Sequence, residues 1–232
     1  LNYIEISECR VTIDMIKGVA ALIRKSPTLR KIHLSNNITY NDEECLGFDH
    51  LFRAIEASNV DELVLEEFNK QGFDYQLLSG YRLATVKSLS LKPDVAMTTR
   101  TLIPLIPGVF PNLIDLELHR VILDIYSREL LVNMMRAMFS RDTSRTGRIR
   151  LYEVTISPGV LGILMREVTR IGKGRIDFQV VSSDGEHGIT PAMVEGRVPP
   201  QTPGQQAYVN WWRQKHPQVR DYLNRVGSRV VE

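Results

Sequence analysis

The chain has 232 residues, of which 43% are hydrophobic, and this is enough to bury a large core. Its 29 basic and 27 acidic residues leave a formal net charge of +2, so no overall field favours a nucleic acid or a membrane as the partner. The two cysteines do not make a disulfide framework, and the sequence shows neither a run of about 18 apolar residues nor a signal peptide. We therefore expect an intracellular protein, cytoplasmic or nuclear, that does not contact a membrane.

Seven stretches of the chain carry the same apolar spacing. They begin at residues 1, 29, 60, 86, 113, 146 and 173. The first stretch has its apolar side chains at Leu1, Ile4, Ile6, Cys9 and Val11. The last two match less closely, because Thr146 and Lys173 stand where the first leucine is expected. A period between about 20 and 50 residues indicates stacked repeats rather than a compact single-core fold.

Each stretch predicts a short strand followed by a helix. Alternate residues of a strand face opposite sides, so Ile4 and Ile6 should face a core while Tyr3, Glu5 and Ser7 face away from it. Apolar stripes with helical spacing follow within residues 13–23, 131–138 and 161–171. One such unit cannot bury its own apolar face, whereas stacked units can. The pattern therefore predicts parallel strands on one side and helices on the other.

Two parts of this helical layer have their own expectations. Pro104 and Pro107 would break an ordinary helix, so we expect a short or irregular segment over residues 102–108. Met134, Met135 and Met138 are spaced as a helical stripe, and we expect them in the core rather than in a binding surface.

The spacing L-x-x-L-x-L-x-x-N/C-x-L resembles that of the leucine-rich repeat family over residues 1–182. Cys9 and Asn37 stand at the position that takes Asn or Cys in that family. The resemblance implies an α/β solenoid, or horseshoe, with a parallel concave sheet and convex helices. The average period of about 28 residues is similar to that of the intracellular types, whose repeats are ribonuclease-inhibitor-like or F-box-associated.

Composition divides the chain into three parts. Residues 1–182 hold the seven repeats, residues 183–204 are rich in Ser, Gly and Pro and read as a linker, and residues 205–232 regain a helical pattern. Because the ends of a solenoid expose apolar surface, we expect residues 205–232 to form a cap or a tail in which Trp211 or Trp212 covers the last repeat. For the same reason, we expect a further segment before Leu1.

No catalytic or metal-binding pattern stands out. Gly172-Lys173-Gly174 lacks the spacing of a phosphate-binding loop, and the five histidines show no metal-ligand spacing. We therefore expect no enzymatic activity, no metal and no cofactor.

The residues that face away from the core are the best candidates for binding, because parallel strands arrange them in rows across the concave face. Acidic side chains come from the third and fifth repeats and arginines from the sixth and seventh. The predicted partner-binding residues are Glu62, Glu66, Asp115, Glu117, His119, Arg148, Arg150, Tyr152 and Arg175. This division of charge predicts a polypeptide ligand with a basic part and an acidic part.

The resemblance implies a protein-interaction module that binds a polypeptide on its concave face. It would act as a substrate receptor or as a scaffold subunit of a larger assembly. The alternative is a regulator of an enzyme, such as a GTPase activator or a nuclease inhibitor. RNA binding through the arginines, which include Arg141 and Arg145, is the least favoured hypothesis.

Overall fold

A computed structural model provides the structure of the chain. It describes residues 1–7, 12–35, 42–66, 75–93, 97–98, 102–123, 125–139, 146–156, 158–172, 175–181, 188–189, 199, 206, 209–210 and 214. The expectations for Cys9, Asn37, Trp211 and Trp212 concern positions outside these residues, as do Arg141 and Arg145.

The described part of the chain alternates strands and helical segments. The strands are β1 (Tyr3–Ser7), β2 (Lys31–Ser35), β3 (Glu62–Glu66), β4 (Ser88–Lys92), β5 (Met97–Thr98), β6 (Asp115–His119), β7 (Val121–Leu123), β8 (Gly147–Tyr152), β9 (Thr155–Ile156), β10 (Ile176–Val181) and β11 (Gly188–Ile189). The helices are α1 (Ile13–Lys25), α2 (Asp42–Glu56), α3 (Ile106–Val109), α4 (Ile125–Phe139) and α5 (Pro158–Gly172), and a 3-10 helix covers Tyr75–Gly80.

The main sheet contains seven parallel strands in chain order. Its order is β1-β2-β3-β4-β6-β8-β10, and β11 adds an antiparallel strand at the β10 edge. Residues 31–35 pair in parallel with residues 62–66, as expected. The α/β class and the parallel sheet predicted from the sequence are therefore confirmed.

The core lies between the main sheet and the helical layer. Equivalent apolar residues stand side by side in the strand register, and all of them are buried: Ile4, Ile32, Leu63, Leu89, Leu116, Ile149 and Phe178. The same core contains Ile16, Ala20 and Ile23 from α1. The side chains from successive units thus form one continuous apolar layer rather than separate small cores.

The helical layer agrees with the expectations for its two unusual parts. Met134, Met135 and Met138 are all buried in the core. The segment with Pro104 and Pro107 contains only the four-residue helix α3, because a proline cannot donate the hydrogen bond that a longer helix needs.

The seventh unit lies two residues out of its predicted register. The sequence alignment placed Arg175 beside Arg148, but in the sheet Arg148 pairs with Asp177 and Arg150 pairs with Gln179. A shift of two residues keeps the same strand face buried. Ile176, Phe178 and Val180 can therefore fill the core in this register, and all three are buried. The weak apolar pattern of this unit allowed either register.

A second, three-stranded parallel sheet accompanies the main one, and nothing in the apolar spacing of the repeats predicts it. Its order is β5-β7-β9. Arg120 follows β6 with a φ of 53°, and Glu153 follows β8 with a φ of 51°. These left-handed residues turn the chain out of the main sheet and into the second one, at the same position in two successive units.

Part of the predicted linker forms a β-strand of the main sheet. Gly188 and Ile189 form β11, which pairs with Val181 and Val180 of β10. Further along the chain, Val209 is buried in the main core, so at least this residue of the predicted cap or tail reaches the apolar layer. Among the described residues, no helix combines the length and the apolar character that crossing a membrane requires.

The central strand β6 offers a test of the core. Leu116 is 0% exposed, so Leu116→Ala would leave a cavity and should lower the free energy of unfolding by about 2–5 kcal/mol. Denaturant unfolding checks this value. The matched control is Ile114→Ala, because Ile114 is exposed and its truncation should cost far less. Equal losses would contradict the assignment of Leu116 to the core.

Candidate functional site

The candidate site is the face of the main sheet that is turned away from the core, here called the open face. The residues of this face alternate with the core residues along each strand and lie in three rows across the sheet. The first row is Tyr3, Lys31, Glu62, Ser88, Asp115, Arg148 and Asp177. The second row is Glu5, His33, Val64, Ser90, Glu117, Arg150 and Gln179. The third row contains Ser7, Ser35, Glu66, Lys92, His119 and Tyr152.

A depression of about 280 Å³ lies at the centre of the open face. Its lining comes from five strands and consists of Lys31, His33, Glu62, Val64, Ser88, Ser90, Lys92, Asp115, Glu117 and Arg150. The strand β4 contributes two serines to it, while the strands on either side contribute longer charged side chains. The short side chains of Ser88 and Ser90 leave space between the longer ones of the neighbouring strands.

Acidic and basic side chains of the open face pair across neighbouring strands. Their closest contacts are Lys31–Glu62 at 2.6 Å, Lys92–Glu66 at 3.3 Å, Arg148–Asp115 at 2.8 Å and Arg150–Glu117 at 2.8 Å. Over strands β2, β3, β4, β6 and β8, the face thus carries four acids and four bases that can be matched one to one. The register of the parallel strands brings each partner within reach.

These ion pairs change the expected electrostatics of the face. The sequence predicts that the acids of the third and fifth repeats and the arginines of the sixth and seventh form separate regions. In the structure, Arg148 and Arg150 are bound to Asp115, and Arg150 also contacts Glu117. The acidic and basic regions therefore neutralise each other where β6 meets β8, and the face does not present two separated fields to a ligand.

The predicted site residues divide into two groups. Glu62, Glu66, Asp115, Glu117, His119, Arg148, Arg150 and Tyr152 all lie on strands β3, β6 and β8 and belong to the open face. Arg175 does not: it precedes β10, and its Nη2 donates a hydrogen bond to the carbonyl oxygen of Phe139 at the end of α4, at 3.4 Å. The corrected register of the seventh unit explains this difference.

Some residues of the depression were missed by the sequence-based choice. Lys31, His33 and Lys92 face the depression, although they were not among the predicted binding residues. They occupy the same outward positions as the chosen residues, so the repeat alignment could have found them.

A polar cluster lies at the β1 side of the open face. The hydroxyl of Tyr3 donates a hydrogen bond to Glu5 at 2.6 Å and lies 3.2 Å from Nδ1 of His33. The hydrogen bond to Glu5 is the main cause that raises the pKa of Tyr3 to about 12. Nε2 of His33 lies 3.3 Å from Glu66. These contacts connect strands β1, β2 and β3 through side chains.

An aromatic stack lies at the other side, on β6 and β8. The rings of His119 and Tyr152 are 4.4 Å apart and nearly parallel, at 17°. Burial lowers the pKa of His119, and the nearby charge of Lys92 lowers it further. Nε2 of His119 is buried and has no hydrogen-bond partner among the described residues. This environment disfavours the protonated ring, which packs against Tyr152.

The described residues contain no group of three or more His, Cys, Asp or Glu side chains that could hold a metal ion. The acidic and basic side chains over strands β2 to β8 are engaged with one another, and this arrangement can offer hydrogen bonds and ion pairs to a ligand. No protein-family model matches the chain, and no curated protein matches its sequence.

The two arginines of β8 should respond differently to charge reversal. Arg150 is 22% exposed and contacts both Asp115 and Glu117, whereas the side chain of Arg148 is 48% exposed. Arg150→Glu should lower the free energy of unfolding by about 1–3 kcal/mol, because it places a third carboxylate beside two others. Arg148→Glu should cost less than about 1 kcal/mol, because solvent screens it.

Denaturant unfolding of both variants checks this difference. Arg150→Met is the control, because it removes the charge and keeps the apolar stem of the side chain. A loss in Arg150→Met as large as in Arg150→Glu would assign the effect to the lost pairing rather than to repulsion. Equal losses in Arg148→Glu and Arg150→Glu would contradict the interpretation.

The lowered pKa of His119 predicts a dependence of stability on pH. Because the folded state disfavours the protonated ring, the unfolded state binds more protons as the pH falls below the ordinary pKa of 6.5. The free energy of unfolding should therefore decrease as the pH falls through 6.5, and more steeply than in His119→Phe, which retains a ring against Tyr152. Denaturant unfolding between about pH 7.5 and 5.5 measures this. Identical slopes in the two proteins would refute the assignment.

Proposed function

We propose that the chain is a leucine-rich repeat solenoid that acts as a protein-interaction module, with the open face as its concave binding surface. The order of the strands supports this fold, because each unit of strand and connection lies beside the preceding one in a parallel sheet. The similar spacing of the seven apolar stretches in the sequence supports the same interpretation. In this proposal, residues 1–182 form the solenoid and residues 205–232 form a cap or a tail.

The observation that carries the proposed function is the depression lined by polar side chains from five strands. A surface assembled from many successive units is suited to a partner that extends across the strands, as a polypeptide segment does. The matched acids and bases of the face favour a polypeptide over RNA, because RNA binding requires an excess of positive charge.

The proposed role is that of a substrate receptor or scaffold subunit inside the cell, without catalytic activity of its own. Its binding energy would come from contacts with the open face, and the helices on the opposite side would support the sheet. This proposal makes the two sides of the molecule differ in a way that mutation can test.

The test begins with the full chain as bait, and mass spectrometry identifies the captured partner. The dissociation constant of the purified partner is then measured for Arg148→Glu and Arg170→Glu. Each change reverses an exposed arginine that pairs with a carboxylate, Asp115 on the open face for Arg148 and Glu167 on α5 for Arg170. We expect Arg148→Glu to weaken binding by about tenfold and Arg170→Glu to change it by less than about twofold.

The opposite outcome is equally informative. If Arg170→Glu weakens binding while Arg148→Glu leaves it intact, the partner binds the helical side. The open face would then have no role in recognition, and the proposal would be wrong.

A further inference from the structure

The first row of the open face has a symmetric pattern of charge. From β2 to β8 its residues are Lys31, Glu62, Ser88, Asp115 and Arg148, each paired in register with the next. The charges along this row are positive, negative, none, negative and positive. Ser88 therefore occupies the central position, between two carboxylates.

Both carboxylates are paired on the side away from Ser88. Nζ of Lys31 lies 2.6 Å from Oε1 of Glu62, on the β2 side. Nη2 of Arg148 lies 2.8 Å from Oδ2 of Asp115, on the β8 side. Arg150 of β8 also lies 3.5 Å from Asp115. On the β4 side, the residue in register with both carboxylates is Ser88, which has a short hydroxyl side chain and no charge. The alternation of charge is thus interrupted at one strand.

The break in the alternation of charge, at Ser88 of β4, lies at the depression. Neighbouring strands are about 4.8 Å apart, so the backbones of β3 and β6 are about 9.6 Å apart across β4. Glu62, Asp115, Ser88 and Ser90 all line the space between them. Its volume of about 280 Å³ lies just below the usual range for sites that enclose a whole small molecule. A space of this size suits a single long side chain.

The hydroxyl of Ser90 positions a further acid of the depression, whose lining also includes the cations of Lys31, Lys92 and Arg150. It donates a hydrogen bond to Oε2 of Glu117 at 3.3 Å, while Oε1 of Glu117 contacts Arg150. Ser90 is only 8% exposed, so this bond holds the carboxylate of Glu117 in place. Glu117 is thereby fixed as a third acidic group at the edge of the depression.

The third row of the open face provides an internal precedent. There β4 carries Lys92, which pairs in register with Glu66 of β3 and lies 3.3 Å from its carboxylate. A cation over β4 therefore forms an ion pair with an acid of β3 in this sheet. In the first row, Glu62 and Asp115 could make such a contact, but β4 carries the uncharged Ser88 at this position.

We propose that a lysine or arginine side chain of the partner polypeptide enters the depression over Ser88 and binds between Glu62 and Asp115. This inference deepens the proposed function and rests on it, because it assumes that the open face binds a polypeptide. The partner's cation completes the alternating row of charges. Its ammonium or guanidinium group replaces water beside two carboxylates whose own cations remain in place, so no internal ion pair has to break.

The first experiment supplies the cation from the chain itself. Ser88→Lys places an ammonium group beside Glu62 and Asp115, and Ser88→Met fills a similar space without charge. We expect Ser88→Lys to melt at least about 2 °C above Ser88→Met at low ionic strength. This difference should disappear when both variants also carry Glu62→Gln and Asp115→Asn. A Ser88→Lys protein that melts at or below the temperature of Ser88→Met would overturn the proposal.

The second experiment uses short acetylated peptides of alanine with one central residue, either arginine, lysine or citrulline. Citrulline has the shape of arginine and no charge. In NMR titrations of the full chain, the arginine and lysine peptides should shift the amide signals of Ser88 and Ser90 in a saturable way. Binding of the citrulline peptide should be at least about tenfold weaker. Equal binding of the arginine and citrulline peptides would refute the charge-based recognition.

The partner complex separates this inference from the proposed function. If Arg148→Glu weakens partner binding but Glu62→Gln with Asp115→Asn does not, the open face binds the partner without a cation over Ser88, and only the inference is wrong. If neither change affects binding, both the inference and the proposed function are wrong. A loss of about tenfold or more in the Glu62→Gln, Asp115→Asn protein supports both.

Discussion

Equivalent residues of successive strands lie directly beside one another in the parallel sheet, and the rest of the structure depends on the apolar contacts that this register creates. Ile32, Leu63, Leu89, Leu116 and Ile149 form a buried line through the middle of the molecule. No single unit of strand and helix could bury such a side chain on its own. Stability is therefore a property of neighbouring units, because the apolar side chains of each unit are covered by those of the next.

The same register determines the chemistry of the open face. Because side chains alternate along a strand, aligning the apolar residues also aligns the polar ones in rows. Lys31 then meets Glu62, and Arg148 meets Asp115, at distances that allow ion pairs. The side chains over β4 are short in the first two rows, and this places the depression at the centre of the face. Packing on one side of the sheet thus positions a site on the other.

The features that repeat along the chain could be predicted from the sequence. The features that depend on local backbone conformation or on exact strand register could not. The strands of the parallel sheet and the buried methionines follow from spacing alone. The second sheet was missed because it depends on left-handed backbone at Arg120 and Glu153, which neither residue type indicates. The register of the seventh unit was missed because a shift of two residues buries the same face.

The positions of the candidate site residues were largely predictable from the repeat pattern, but the contacts between their side chains were not. Eight of its nine predicted residues are on the open face, and Arg175 is not. Ion pairing was not foreseen, because it depends on side-chain conformation as well as on the order of the strands: Arg150, for example, reaches both Asp115 and Glu117. These pairs have a kinetic consequence: the centre of the face, whose charges are matched over strands β2 to β8, generates little long-range attraction, so a partner would reach it by unguided diffusion. Association would then proceed at about 10⁵–10⁶ M⁻¹s⁻¹, and selectivity among partners would arise mainly from how long each one stays bound.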